Sequence, residues 1–591
     1  MQTMRSATHS APTSTATAPT PETLGELDQA ALRALAQSLI ERIAANAKQE
    51  VKLQAELLLR QTKIDALTHE IRLLRHFRFA AKAEAMDAPQ AKLFAEANEE
   101  DIAAAEQRLA LLCPPTRPAP SAKTTPKRQA LPAHLPRTEV LLDPQNTDCG
   151  CGKPMQRIGQ DVSERLDYTP GSFAVQRHIR GVWACKCCEH MRQEAMPAQI
   201  IEGGIPSAAL LAQVLIAKYD DHLPLYRQSE IYARSGVELA RSTLSAWVGQ
   251  CGVALSPIVQ ALKRQLLQSA VLHADESPIA VLNKGGKKGR GYIWAYASGQ
   301  HENIHAVVFE VKAGRSGQYA RDFLVHERQG PPGLPGSPEN PALAPRRWAG
   351  HLVVDDYGGY KALFAQAQAQ ANGGGGGNGV SEPCVIEVGC WAHVRRKFFE
   401  LHVASQSALA QTALERIGQL YGIERAIVEL KLNLEQATAH RQQHARPLLV
   451  ALHAWLLAQA PGAHRRRVVR PLWASTRASA KAFDYALRRW PALVRYADEA
   501  RLPMDNNRIE NQIRPWALGR KNWLFAGSPQ AGERAADIMS LIQTAKMNGI
   551  EPMAYLTDVL KRLPTQPNSR IEELLPTRWK AGGATGHAAP A

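Results

Sequence analysis

Hydrophobic side chains make up 45% of the 591 residues and charged ones 21%, an ordinary balance for a chain that buries cores. The formal charge of +16 points to polyanionic partners. Its longest apolar candidate, Ala208–Ala217, is far shorter than the roughly 20 residues a membrane helix needs, and the Ser/Thr/Ala/Pro-rich first residues lack a signal-peptide core. Membrane, secreted, collagen-like and wholly disordered classes are set aside. At roughly 150 residues per domain, the length predicts about four domains.

Residues 1–25 read as a disordered tail, and 26–112 as a coiled-coil region. From Leu32 to Leu74 a heptad seam alternates steps of four and three through Leu39, Ile43, Leu53, Leu57, Ile64, Leu67 and Ile71. This pattern predicts self-association, with Asn46 at a seam position fixing register. Polar seam positions Glu50 and Arg60 keep open a long amphipathic helix packed on its own chain. Prolines crowd residues 113–138, so 113–140 is expected to be an extended basic linker.

Five of the nine cysteines fall between Cys149 and Cys188, which favours metal in a reducing cytoplasm over disulfides. Cys149 and Cys151, then Cys185 and Cys188, offer four thiolates to one tetrahedral Zn2+ in a module spanning 141–200. Two strands within Val162–Trp183 join the knuckles. Cys149 and Cys151 are spaced more tightly than the usual knuckle, leaving Cys187 and His190 as substitute ligands.

Helical patterning covers 201–269. Within it, Leu225–Gln250 reads as a helix ending near Gly236, a turn, and a second helix capped by Ser242. That is a helix-turn-helix suited to a major groove, or an ordinary core helix pair. Short β-runs then follow at Ala270–Ala274, Tyr292–Ala297, Ala306–Val311, His351–Asp356 and Val385–Cys390, within 270–400. A glycine tract, Gly373–Gly377, marks a flexible loop before the last of them. A helical insertion is expected at 401–500, the end of the core at 501–547, and a C-terminal segment at 548–591. The pattern is an α/β core carrying a helical insertion.

Asp275 and Asp355 each follow an apolar β-run, where an unpaired charge is costly. A divalent cation would remove that cost, and a pair of cations could hold a phosphodiester for in-line attack. Glu510 offers a third acid, one turn into a helix capped by Asp505 or Asn506. Its alternative is a surface ion pair with Arg514 at i+4. Neighbouring Glu276 and Asp356 leave the choice of acids open on physical grounds. Arg395, Arg396 and Lys397 suit either phosphates or a solvated face. Arg520, Lys521 and Trp523 suit a basic, stacking surface, with Trp523 equally at home in a core. His393 reads either as a phosphate-positioning group or as a helix-start residue packed on Trp391.

Several of these motifs, in this order, resemble the insertion-sequence-66 family of transposases. The likeness is carried by His273–Ser277, Asp355–Tyr360, Cys390–Phe398, Asp505–Asn507 with Glu510, Arg520–Gly527 and Arg570–Pro576. Pro224–Arg227, the cysteine knuckles and the N-terminal zipper fall in the family's order too, so the likeness covers about 25–580. It implies a ribonuclease H-like mixed-sheet core of DDE type with acids at Asp275, Asp355 and Glu510, using Mg2+ or Mn2+. It also implies double-stranded DNA as substrate and helper proteins from the same element. The C-x-C knuckle, the glycine tract and Arg78–Met86 depart from the family pattern. Expected, then, is a DNA transposase acting in the cytoplasm as a homo-oligomer, with no membrane segment. Its rivals are a DNA-binding regulator without cleavage activity and a general nuclease.

Overall fold

A computed structural model describes residues 53–68, 70–71, 88–112, 131–144, 146–151, 153–169, 171–282, 288–326, 346–365, 384–459, 477–523 and 526–580, with scattered positions from 37 to 50. The expected tail, the first part of the proline-rich linker, Arg78–Met86 and the Gly373–Gly377 tract lie outside these residues. The chain divides into two compact units, one of Met1–Glu70 with Leu109–Pro114 and one of Ile71–Arg108 with Pro115–Ala591. In the first, residues 53–68 are helical, and seam residues Leu53 and Leu57 are 51% and 64% exposed. Asn46 is exposed as well.

Within the larger unit, a four-stranded sheet is built from β1 (Arg137–Leu142), β2 (Gln156–Thr169), β3 (Ser172–Ala184) and β4 (Met191–Gln193). β2 and β3 form the long hairpin expected between the cysteine knuckles, turning through Gly171 at φ +88. β1 pairs with β3 from Arg137, so the last residues of the expected linker belong to this sheet.

The helical region contains Ala208–Tyr219, Leu225–Arg234 and Arg241–Leu266. Gly236, at φ +76, makes the turn expected between the last two, a conformation that favours glycine. Ser242 is not the cap, however: the helix starts at Arg241 behind Ala240, which makes no side-chain cap bond. This helix is also longer than expected, and Leu244, Trp247, Val248, Cys251 and Leu255 are buried along it. One face packs as a core helix, while the other, with Ser242 and Pro257 exposed and Ala246 and Gln250 half-buried, stays open.

The second sheet has five strands in the order β11-β10-β5-β6-β7. These are β5 (Val271–Leu282), β6 (Lys288–Ser298), β7 (Val307–Lys312), β10 (Gly350–Val354) and β11 (Val385–Gly389), while β8 (Val325–His326) and β9 (Arg346–Arg347) form a small separate pair. β5, β6 and β7 are antiparallel, whereas β10 and β11 run parallel to β5. β5 does not stop at Ala274 as expected. It continues through Pro278, because β10 pairs only with Val271–His273 and leaves that edge without a strand partner at Pro278, where proline is tolerated; Ala526 bridges the same edge at Val281.

Strand alternation places the two cores. Leu272, Ala274, Leu352 and Val354 join one core with helices Arg241–Leu266, Pro529–Met547 and Pro552–Arg562. Val271, Val353 and Val388 face a second core with Trp391, Phe398, Ile417, Leu449 and Phe483 from the helices between 391 and 494. Both faces of the parallel strands are therefore covered, which is why they read as unbroken apolar runs. β7 would be an open edge, but its Val307 and Phe309 N–H groups donate to Thr544 Oγ1 at 3.1 Å and Ser540 Oγ at 2.9 Å.

Candidate active site and metal centre

Parallel pairing puts Val353 beside His273, so Asp355 and Asp275, two residues further along each strand, arrive side by side. Asp275, Glu276 and Asp355 each offer an oxygen within 4.8 Å of the others. Burial pushes Asp275 well above the ordinary carboxylate range, and the charges of Glu276, Asp355 and Glu510 add to the shift.

The structure separates the two acids that sequence alone left equivalent. The Glu276 side chain is enclosed; its carboxylate accepts from Arg315 Nε at 2.8 Å, Arg315 Nη2 and Tyr360 Oη at 2.8 Å. Burial first, then Asp355, raise it to about 7 against these partners. Asp356 turns away and pairs at 3.3 Å with Arg489, a buried cation that also bonds Glu387 and the Val354 carbonyl.

Glu510 lies in the first turn of helix Asn507–Trp523. Asn506 precedes that helix, and its carbonyl accepts from Ile509 and Glu510. Its side chain, fully buried, stands 2.8 Å from His273 Nδ1 and donates to the Ala274 carbonyl at 3.0 Å. Asn506 thus fastens the Glu510 helix directly to the Asp275 strand. Ile509, Ile513 and Trp516 are buried at i, i+4 and i+7, anchoring the opposite face.

Glu510 does not share the tight carboxylate cluster. It faces His393 Nδ1 at 3.7 Å and Arg396 at 3.8 Å, rather than Arg514, the alternative partner at i+4. Cys390 and His393 form a second group of possible ligands with Glu510. Burial lowers His393 below the usual imidazole value, leaving it neutral at pH 7. It therefore faces Glu510, while Trp391 is buried and donates to the Leu493 carbonyl at 2.8 Å.

Of the basic residues, Arg395 and Arg396 are exposed, and Lys397 Nζ lies 4.7 Å from the Tyr485 ring centroid. Arg520 donates to the Pro278 carbonyl at 2.8 Å, so at least one of its nitrogens braces the acid strand. The side chains of Lys521 and Trp523 lie outside the described residues. Sequence reasoning missed Arg315, Tyr360, Arg489 and the bracing role of Asn506. Only the last carried a signal, as one of the polar residues immediately before Glu510.

Far along the chain, the sulfurs of Cys149, Cys151, Cys185 and Cys188 lie within 4.8 Å of one another. Cys149 and Cys188 are 3.0 Å apart, and Cys151 and Cys185 3.6 Å. Sulfurs about 2.3 Å from a common zinc would be similarly spaced, so the donor set fits that ion. Backbone N–H groups of Cys188 and Cys187 lower the Cys185 thiol to about 6. Tight turns aim the sulfurs inward: Cys149 N–H donates to the Lys153 carbonyl and Cys185 N–H to the His190 carbonyl. Neither Cys187 nor His190 enters the four-sulfur group.

Four family models match the chain. Transposase IS66 family covers residues 203–534, IS66 C-terminal element 540–577, and zinc-finger binding domain of transposase IS66 147–189. Transposase C of IS166 homeodomain covers 66–140, taking in only the end of the heptad run and the proline-rich stretch after it. Three similar proteins come from Sinorhizobium fredii (strain NBRC 101917 / NGR234). Uncharacterized protein y4hP is 30% identical over 89% of each chain. Uncharacterized protein y4qI is 32% identical over 77% of each, and Uncharacterized protein y4jD is 32% identical over 76% of this chain and 82% of its own. The zinc-finger match and the four gathered sulfurs together point to structural zinc, and no helix among the described residues is long and apolar enough to cross a membrane. With the main family model spanning more than half of its length, this chain belongs to the IS66 family of transposases.

Proposed function

We propose that this protein is a DNA transposase that binds the ends of its insertion sequence, hydrolyses the phosphodiester there, and joins each freed 3′-hydroxyl to target DNA. The observation that carries the reading is the meeting of Asp275 and Asp355 on adjacent parallel strands, with Glu510 tied to the same strand through Asn506. A five-stranded sheet with three antiparallel strands and two parallel ones beyond supports a ribonuclease H-like core. Asp275, Asp355 and Glu510 are the proposed catalytic ligands for Mg2+ or Mn2+. Oxygen donors suit these hard cations, and the burial and mutual repulsion that raise Asp275 are what a cation would offset.

When bound, the cations supply charge neutralisation at the attacking and leaving oxygens. The chain's own groups do the rest. The water oxygen bonds to phosphorus as the P–O3′ bond breaks; the water gives up a proton and the departing 3′-oxygen takes one up, by way of solvent or of neutral His393 beside Glu510. The 3′-oxygen then attacks a target phosphorus by the same route, and no protein-bound intermediate is needed. Exposed Arg395 and Arg396, with Lys397, track phosphates, and the +16 charge implies binding that weakens steeply with salt. Arg520 and Lys521 extend that surface, Arg520 through whatever donors its bond to Pro278 leaves. We assign the zipper a role in homo-oligomerisation, supported by the exposed Leu53 and Leu57, and expect helper proteins and a cytoplasmic setting.

Asp275→Asn, Asp355→Asn and Glu510→Gln should each abolish Mg2+-dependent nicking and strand transfer of element-end DNA, while gel-shift binding persists. Asp356→Asn should keep measurable cutting. Undiminished cutting by all three variants would overturn the mechanism. Binding without cutting by the unaltered protein would favour the regulator, and indiscriminate degradation the general nuclease.

A further inference from the structure

Arg315 sits at the rim of the carboxylate cluster, on the loop between β7 and helix Gly317–Phe323. Two of its three guanidinium nitrogens, Nε and Nη2, are held by Glu276. The third, Nη1, has no acceptor among the described residues. The guanidinium carbon lies 3.8 Å from the Tyr357 ring centroid, and Tyr357 Oη donates to the Arg315 carbonyl. Tyr357 N–H donates in turn to Asp355 Oδ1 at 2.9 Å. The backbone just after this loop passes close to the turn that follows Asp355: a Cβ at Gly317 would collide with the Gly359 carbonyl. Arg315 is thus fixed relative to Asp355, yet its side chain remains 41% exposed.

A buried carboxylate needs a neutralising partner, and Glu276 alone would explain an arginine here. It does not explain why the cation is solvent-open or why its planar face is stacked on a tyrosine. Tyr292 carries a second exposed cation, Arg290, 5.4 Å from its ring centroid, and its ring lies 5.9 Å from the Arg315 guanidinium. Cations interleaved with aromatic rings, leading away from the acids, form a track suited to a nucleic-acid strand.

Resting on the transposase reading above, we propose that Arg315 binds DNA: its free Nη1 holds a non-bridging oxygen of the phosphodiester next to the one being cut. Glu276 and Tyr357 set the plane of the guanidinium so that this donor points outward. The contact aligns the strand across Asp275 and Asp355 without taking part in proton transfer.

The test uses the full chain, Mg2+, and duplexes taken from the ends of its own element. Each duplex carries one uncharged methylphosphonate at a successive position around the cut. With the unaltered protein, one position flanking the cut should slow cleavage about tenfold or more, the usual scale of a charge-assisted hydrogen bond. Arg315→Gln, which can still donate to Glu276, should lower kcat/KM on unmodified DNA by about ten- to a hundredfold and be indifferent to that methylphosphonate. Arg315→Lys should recover part of the rate and of the sensitivity. If Arg315→Gln cuts normally, or is slowed while every methylphosphonate penalty stays unchanged, Arg315 is only a partner for Glu276 and the proposal falls. Failure of the unaltered protein to cut any duplex would instead overturn the transposase reading, and this inference with it.

Discussion

Asn506 shows how much can hang on one buried amide. Its Oδ1 accepts from the His273 ring, its Nδ2 donates to the Ala274 carbonyl on the acid strand, and its own carbonyl starts the helix that carries Glu510. Burial lowers His273 to about 4, so the imidazole is neutral and the bond is one between uncharged groups. Asn506→Ala would leave a buried ring nitrogen and a backbone carbonyl unpaired, at a cost of about 1–3 kcal/mol for each group. We expect chemical denaturation to show a loss of about 2–6 kcal/mol for the two together. Cleavage should fall more than stability alone predicts, because Glu510 would lose its tie to Asp275. Stability lost with cleavage intact in the folded fraction would mean that Asn506 is a packing residue only.

At the scale of elements, the contrast is between sheets that need help and those that do not. The β2–β3 hairpin buries few apolar residues near its knuckle end, where Cys149, Met155 and Cys185 form a small cluster of their own. So little apolar contact cannot order the knuckles, and metal is expected to supply the difference; structural zinc commonly contributes on the order of 10 kcal/mol at pH 7. Cys185→Ser and Cys149→Ser should each reduce bound zinc, measured by elemental analysis, from one per chain toward none. Proteolysis should then open 141–200 first while the five-stranded sheet stays resistant. A variant lacking Cys149 with full zinc would exclude that residue as a ligand. The five-stranded sheet, by contrast, is covered on both faces and capped at β7 by hydroxyls, and stands by packing alone.

At the largest scale, within the larger unit, the segment carrying Glu100 and Asp101 is joined to the core by buried charge. Arg534, on helix Pro529–Met547, pairs with Asp101 at 2.5 Å and Glu100 at 3.3 Å from helix Ala88–Leu112, and Lys218 reaches Glu100 at 2.8 Å. Gly249 lies against the Glu100 backbone, leaving no room for a side chain there. Such a network costs desolvation but admits one register only, since any other leaves a charge unpaired. The heptad seam is a different matter: Leu53 and Leu57 are exposed among the described residues. Deleting 32–74 should therefore lower the mass in solution, as read by light scattering. An unchanged mass would remove the zipper from the assembly.

Local chemistry made some of this protein legible in its sequence alone. β-runs bounded by acids, a helix start just before Glu510, cysteines in two knuckles and a glycine turn at Gly236 are short-range patterns, and short-range sterics and hydrogen bonding decide them; the Asn506 side chain, offered as a cap, turns instead to His273 and the Ala274 carbonyl. Ser242 failed as a cap because the helix begins one residue earlier, at Arg241, which places Ser242 inside the first turn. β5 ran past Ala274 because only β10's length determines which of its edges is free, and no local signal reports a neighbour's length. The separation of Glu276 from Asp275, and of Asp356 from Asp355, was equally out of reach. It depends on Arg315, Tyr360 and Arg489, which lie 39, 84 and 133 residues away from the acids they bind. Which acid is left open and which is neutralised is settled only when those distant cations and hydroxyls are brought in, because burial makes each unpaired charge too costly to leave alone.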